Sequence, residues 1–358
     1  MIPVTKPYLP DQKKYVDYVN SIFSNQWLTN NGPFVQRFED ELRTNLSVDN
    51  LHYVSNGTIA LQLAIKALAL QGEIITTPFT YVATTSSIVW EGCKPVFVDI
   101  DSNTLNIDPD KIEAAISPRT TAIIATHCFG NPCDIARISD IAEKHKLKVI
   151  YDAAHCFGVK FNGKSIFSYG DITTTSLHAT KIMHSTEGGI VFSSDDQVHS
   201  TIRFMRNFGH DGFEKFNGVG INAKNSEFHA AMGLLVLGDI NLILERRRIQ
   251  SQYYDNLLIN STIYKPEIQQ GCEYNYSYYP ILFSDEQKTL AIKTKLEQKG
   301  IYPRRYFYPS LSHLSYVKRM QTPISDNCAS RILCLPLFHD LSFKDQDLIS
   351  KIILKELK

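Results

Sequence analysis

Between residues 50 and 195 short β-rich runs alternate with helical apolar patterns. That alternation demands a mainly parallel sheet with helices on its faces, because parallel neighbours can be joined only by crossovers. The runs EIITT (73–77), PVFVDI (95–100), TAIIATH (121–127), KVIYD (148–152), ITTTSL (172–177) and GIVFSS (189–194) read as its strands. One covering helix starts near Gly57, where Ala60, Leu63, Ala64, Ala67 and Leu68 form a single apolar stripe. Ser55-Asn56-Gly57-Thr58 supplies its N-terminal cap.

After residue 225 the pattern changes to one long helical stretch, SEFHAAMGLLVLGDINLILERRRIQSQYYDNLL, leading out of the large domain. YSYYPILF then reads as a strand, TLAIKTKLEQKG as a helix ending at Gly300, and DLISKIILKELK as a closing amphipathic helix. The division expected is a large domain over 1–240 and a smaller α+β domain over 241–358. Lys+Arg and Asp+Glu balance at 37 each, so no net field favours nucleic acid or an anionic membrane, and a small-molecule partner is expected. The opening MIPVTKPYLPDQKK carries charges and prolines where a secretory leader is apolar, and no run of about 18 apolar residues occurs, so the chain reads as cytoplasmic. Seven cysteines show no paired metal spacing, Cys128 and Cys133 included; reduced, mostly buried thiols and no metal site are expected.

In open α/β sheets ligands collect beyond the carboxyl ends of the strands, and three places there carry chemistry. At Ser55-Asn56-Gly57-Thr58 a helix opens on small residues whose free backbone N–H groups suit a phosphate, although a plain cap accounts for the same residues. Asp152-Ala153-Ala154-His155 follows the strand KVIY; its acid could hold a proton on a heteroaromatic nitrogen, or cap the next turn. Ser176-Leu177-His178-Ala179-Thr180-Lys181 places a lysine in a loop after a strand, where a lowered pKa would free an amine for imine chemistry; most lysines are simply surface residues.

In combination the three become specific. SNGTIAL, TPFTYVATTSSI, VIYDAAHCFG, SLHATKIMHSTEGG and GINAKNSEFHAAMG resemble motifs of the sugar-nucleotide aminotransferases of the DegT/StrS type, and PYLP…SNQWLTNNGPFVQRFE, GIYPRRYFYP and LCLPLF extend the resemblance over nearly the whole chain. It implies the pyridoxal-phosphate-dependent, aspartate-aminotransferase-like α/β fold, with a large mixed, mainly parallel sheet domain. Lys181 then falls where the family has its imine-forming lysine and Asp152 where it pairs the protonated pyridine nitrogen. Gly57, Thr58 and Ser176 fall at the phosphate, Tyr81 on the pyridine face, and His155 at the ring oxygen. Asn222 falls where the neighbouring subunit adds a contact, which implies a homodimer.

By the same resemblance L-glutamate is the amino donor and a nucleotide-linked keto sugar the acceptor, in a ping-pong reaction. HATK followed by HSTEGG resembles the subgroup that aminates C4 of 4-keto-6-deoxyhexoses, with dTDP-4-keto-6-deoxyglucose as substrate and a role in surface polysaccharide (O-antigen) synthesis. Arg304, Arg305, Tyr306 and Tyr308 suit a nucleotide diphosphate, or else form a charged structural strand. A branch of the family carries histidine in place of the lysine and eliminates water; this chain keeps Lys181, which speaks for transamination. It departs from many members at Lys224 and Asn225. A 3-keto or UDP-linked sugar, and a non-catalytic regulatory role on the same scaffold, stay open. Gly218 to Ala223 has the glycine spacing of a dinucleotide loop but no strand before it, and His178, His184, His210 and His229 are scattered. His210-Asp211 reads as a polar loop.

Overall fold

A computed structural model describes residues 1–357. Two helices open the chain, α1 (Gln12–Asn25) and α2 (Pro33–Leu46). Seven strands follow: β1 (Leu51–Val54), β2 (Glu73–Thr76), β3 (Lys94–Phe97), β4 (Thr120–Thr126), β5 (Lys148–Asp152), β6 (Ile172–Ser176) and β7 (Gly189–Phe192). They form one sheet in the order β1-β7-β6-β5-β4-β2-β3. Only β7 runs against its neighbours, pairing antiparallel with β1 and β6, while β2 to β6 pair parallel. The sheet is therefore mixed and mainly parallel. Six strands match the expected runs; β1 lies outside them, because four residues ending at a helix cap leave too short a pattern to read.

The crossover helices are α3 (Gly57–Ala67), α4 (Val82–Trp90) and α5 (Ile135–His145), with α6 (Asp196–Met205) after β7. Helices on both faces explain why the central strands are apolar at successive positions. In β4, Ile123 and Ala125 join one buried cluster while Ala122 and Ile124 join the other. Asn56 caps α3, its side chain accepting the Ile59 N–H.

The helical stretch after 225 is two helices, α7 (Glu227–Gly238) and α8 (Ile240–Leu258), bent by 57° at Asp239. The bend lets them serve different cores. Ala230, Leu234 and Leu237 of α7 pack in the cluster that holds Phe38 and Leu42 of α2, whereas Tyr254 and Leu258 of α8 join the C-terminal cluster. There β8 (Tyr279–Leu282) pairs antiparallel with β9 (Ile332–Leu335), covered by α9 (Glu286–Glu297), α10 (Pro323–Arg331) and α11 (Phe343–Leu357). Ile2 and Pro3 pair in parallel with Ile301 and Tyr302, so the N-terminal segment also reaches this layer. Among the described residues no single helix is long and apolar enough to cross a membrane. All seven cysteines are unpaired, six of them buried. No group of side chains that could hold a metal exists among the described residues.

Candidate active site

A cavity of about 640 Å³ opens at the carboxyl ends of the central strands, where a sheet of this kind leaves room for a ligand. Its floor is the end of β5. Asp152 is buried, 6% exposed, and its two oxygens are separately held: Oδ2 accepts from Thr84 Oγ1 at 2.7 Å and Oδ1 from the Ala154 N–H at 3.1 Å. Thr84 continues through Thr80 Oγ1 at 3.0 Å to Thr126 Oγ1 at 2.9 Å, tying the carboxylate to α4 and to the end of β4. Burial pushes the Asp152 carboxyl up, opposed by these two hydrogen bonds and by the nearby Lys181 charge. A cationic partner in the cavity would relieve that desolvation.

Lys181 sits in the loop between β6 and β7, on the same cavity wall. Its N–H donates to the His178 carbonyl at 2.9 Å, and Thr180, one residue before it, is held at its carbonyl by Thr5 Oγ1 at 3.2 Å. Burial lowers the Lys181 pKa, while Asp152 and then Tyr81 oppose it. The lysine is thus biased toward free amine, as an imine-forming lysine requires.

His155 is buried beside Asp152, and its Nδ1 accepts the Phe129 N–H at 3.1 Å. Since a backbone N–H can only donate, the neutral ring carries its proton on Nε2, the nitrogen left for a ligand oxygen. Burial holds its pKa well below the usual histidine range.

Gly57, Thr58 and Ser176 meet at the opposite end, where α3 starts. A Cβ on Gly57 would lie 2.8 Å from Ser176 Cβ, so only glycine allows β6 and the helix N-terminus to close on each other there. The first-turn N–H groups of α3 and the Ser176 and Thr58 hydroxyls form a cradle that suits a phosphate. Tyr81, exposed at the N-terminus of α4, forms a side wall. An acid under a ring nitrogen, a histidine for a ring oxygen, a lysine for an aldehyde and a cradle for a phosphate together fit pyridoxal phosphate.

The RRYFY stretch divides. Arg304 pairs through its backbone with Cys334, giving strand-like alternation, and Arg304 and Tyr306 line the cavity. Arg305 points the other way: its Nη2 donates to Glu286 Oε1 at 2.5 Å and to the Ser330 carbonyl at 2.8 Å, and it stacks on Tyr308. The chain then turns, Tyr308 N–H donating to the Arg305 carbonyl, so Tyr308 does not line the cavity. Asn222 does not line it either. It pairs by its backbone with Asn207, on an exposed segment carrying Phe208, Phe213, Phe216 and Val219.

Of the departures, Lys224 Nζ donates to Asn207 Oδ1 at 2.6 Å and Asn225 Nδ2 to the Glu187 carbonyl at 2.8 Å. Of the scattered histidines His178 lines the cavity, as do Thr126, Glu187, Tyr278 and Phe307. Sequence reading passed over them. The signals that could have found them are modest: His178 is three residues before the lysine, Glu187 is six after it, and Thr126 closes an apolar strand run.

Comparison with known proteins identifies the family. Residues 10–354 match the DegT/DnrJ/EryC1/StrS aminotransferase family. The chain is 39% identical over 368 residues to a dTDP-4-amino-4,6-dideoxy-D-glucose transaminase of Escherichia coli, covering 99% of each, and 40% identical to one of Shigella dysenteriae, covering 99% and 98%. A GDP-perosamine synthase of Escherichia coli O157:H7 is 31% identical over 95% of this chain and 94% of its own. Among solved structures, DesI in the presence of its TDP-sugar product superposes with a TM-score of 0.94 at 31% identity, covering 100% of this chain and 93% of that one.

Proposed function

The chain belongs to the DegT/DnrJ/EryC1/StrS aminotransferase family and is a pyridoxal-phosphate-dependent sugar aminotransferase, and from that premise we propose that it moves an amino group from L-glutamate to C4 of dTDP-4-keto-6-deoxyglucose. The product is dTDP-4-amino-4,6-dideoxyglucose. One observation carries the site assignment: Lys181, Asp152, His155, Gly57, Thr58 and Ser176, drawn from three separate segments, line a single cavity. The two transaminases near 40% identity over the full chain support the sugar and the nucleotide.

When bound, pyridoxal phosphate supplies an aldehyde for the amine and a ring that withdraws electrons from the reacting carbon. Asp152 keeps the ring nitrogen protonated, His155 Nε2 donates to the ring oxygen, and the Gly57, Thr58 and Ser176 cradle holds the phosphate. Lys181 Nζ takes the proton from the Cα of the amino donor and, in the second half of the cycle, delivers one to the sugar carbon that receives nitrogen. Arg304 pairs with the nucleotide diphosphate. Two chains assemble as a homodimer, the exposed segment around Asn222 reaching the partner's cavity. The enzyme works in the cytoplasm, toward surface polysaccharide.

The purified protein is expected to be yellow, and Lys181→Ala to lose the internal absorption band. With glutamate and a panel of 3-keto and 4-keto nucleotide sugars, product mass and proton NMR should show amination at C4 of the dTDP sugar. A colourless protein that cannot be reconstituted overturns the cofactor assignment; amination of only a 3-keto or UDP-linked sugar overturns the substrate.

A further inference from the structure

His178 and Glu187 face the cavity on either side of the Lys181 loop with no part in the chemistry above. Both are fixed from behind. His178 Nδ1 accepts the Thr180 N–H at 3.2 Å and lies 2.8 Å from Thr180 Oγ1. In the neutral ring this leaves the proton on Nε2. The Glu187 carbonyl accepts from Asn225 Nδ2 and Ser185 Oγ, both at 2.8 Å, so Asn225 and Ser185 anchor this backbone. Nε2 and Glu187 Oε1 are 3.5 Å apart. That is longer than a good direct hydrogen bond, and the two half-exposed side chains need part by only about 1 Å to hold one hydroxyl between them at about 2.8 Å from each.

We propose that His178 and Glu187 are specificity determinants that grip the sugar hydroxyl on the carbon next to the one receiving nitrogen. Nε2–H donates to the hydroxyl oxygen and the Glu187 carboxylate accepts its proton. The donor and acceptor together recognise a hydroxyl, since a carbonyl or a hydrogen at that carbon satisfies only one or neither. Placement follows from Lys181, whose amine must reach the reacting carbon; groups flanking the lysine meet the neighbouring position. The inference rests on the keto-sugar reading of the site and adds to it which part of the sugar the chain inspects.

The test measures the two half-reactions of the holoenzyme separately, with glutamate and with dTDP-4-keto-6-deoxyglucose. Glu187→Gln should lower kcat/KM of the sugar half-reaction about 10- to 100-fold, the size of a lost hydrogen bond to a charged group, and the glutamate half-reaction by less than about threefold. Glu187→Asp should recover part of the loss, with an unchanged cofactor absorption band. Wild type should disfavour the 3-deoxy analogue by a similar factor, and Glu187→Gln should not. Wild type that aminates the sugar while Glu187→Gln slows both halves alike, or neither, overturns this inference and leaves the enzyme's function standing. Wild type inert toward every nucleotide keto sugar overturns the substrate reading, and the inference with it.

Discussion

The floor and the rim of the cavity are built differently. The floor hangs on strand ends: Asp152 closes β5, Ser176 closes β6, and both are tied to helices by Thr84 and by the close approach at Gly57. The rim comes from loops and the C-terminal layer, where Arg304 and Arg305, adjacent in sequence, face opposite ways. Hydrogen-bonded sheet geometry sets the direction of each side chain at a strand end, whereas a loop leaves it to whatever packs behind. On the proposed function the reaction chemistry sits at the strand ends and on the Lys181 loop that leaves β6 directly, and the rim tells substrates apart.

The largest test of that contrast is Lys181→Ala, which should cost about 10⁴-fold or more in kcat with the fold intact by circular dichroism, since both the amine and the proton carrier are lost. Asp152→Asn should cost about 10²- to 10³-fold, in both half-reactions equally, because it removes a charge that serves every step. At the rim the two arginines should separate. Arg305→Ala should lower stability by about 1–3 kcal/mol in urea, as the Ser330 carbonyl and Glu286 lose their donor, with KM for the nucleotide sugar nearly unchanged. Arg304→Ala should raise that KM about tenfold at unchanged stability. Equal behaviour of the two would break the division of the RRYFY segment.

The smallest effect probes the floor through pH. His127 lies wholly buried under it, stacked on Tyr151, and burial lowers its pKa to about 3. In the folded chain it stays neutral while in the unfolded chain it takes up a proton below about pH 6.5. Its contribution is thus complete above that pH and is lost as the pH falls toward 3, at no more than about 1.4 kcal/mol per pH unit. His127→Gln should flatten the decline in urea stability between pH 6.5 and 5; an unchanged slope would mean that His52 and His155, also held neutral by burial, carry it.

Much of the floor was legible because its residues follow apolar runs, and a run ending in Asp152 or Ser176 marks a strand end without any structure. Tyr278 was not legible, since it arrives from a segment 97 residues beyond Lys181 and nothing local marks it, whereas Phe307 was passed over inside the RRYFY stretch because an apolar ring among charged and hydroxylated neighbours reads as core. The break at Asp239 escaped for a different reason. Both halves of that stretch have helical periodicity, and only the two cores they serve require a bend.

By itself, then, the amino-acid sequence determined six of the sheet's seven strands and which residues stand at their ends, because periodicity and strand-end position are local properties; the family resemblance then singled out Lys181 and Asp152 together. Tertiary structure decided that Arg304 faces the cavity while Arg305 is spent on Glu286, that His178 belongs to the site, and that His178 and Glu187 stand 3.5 Å apart. Those outcomes depend on contacts between distant segments, which no local pattern encodes.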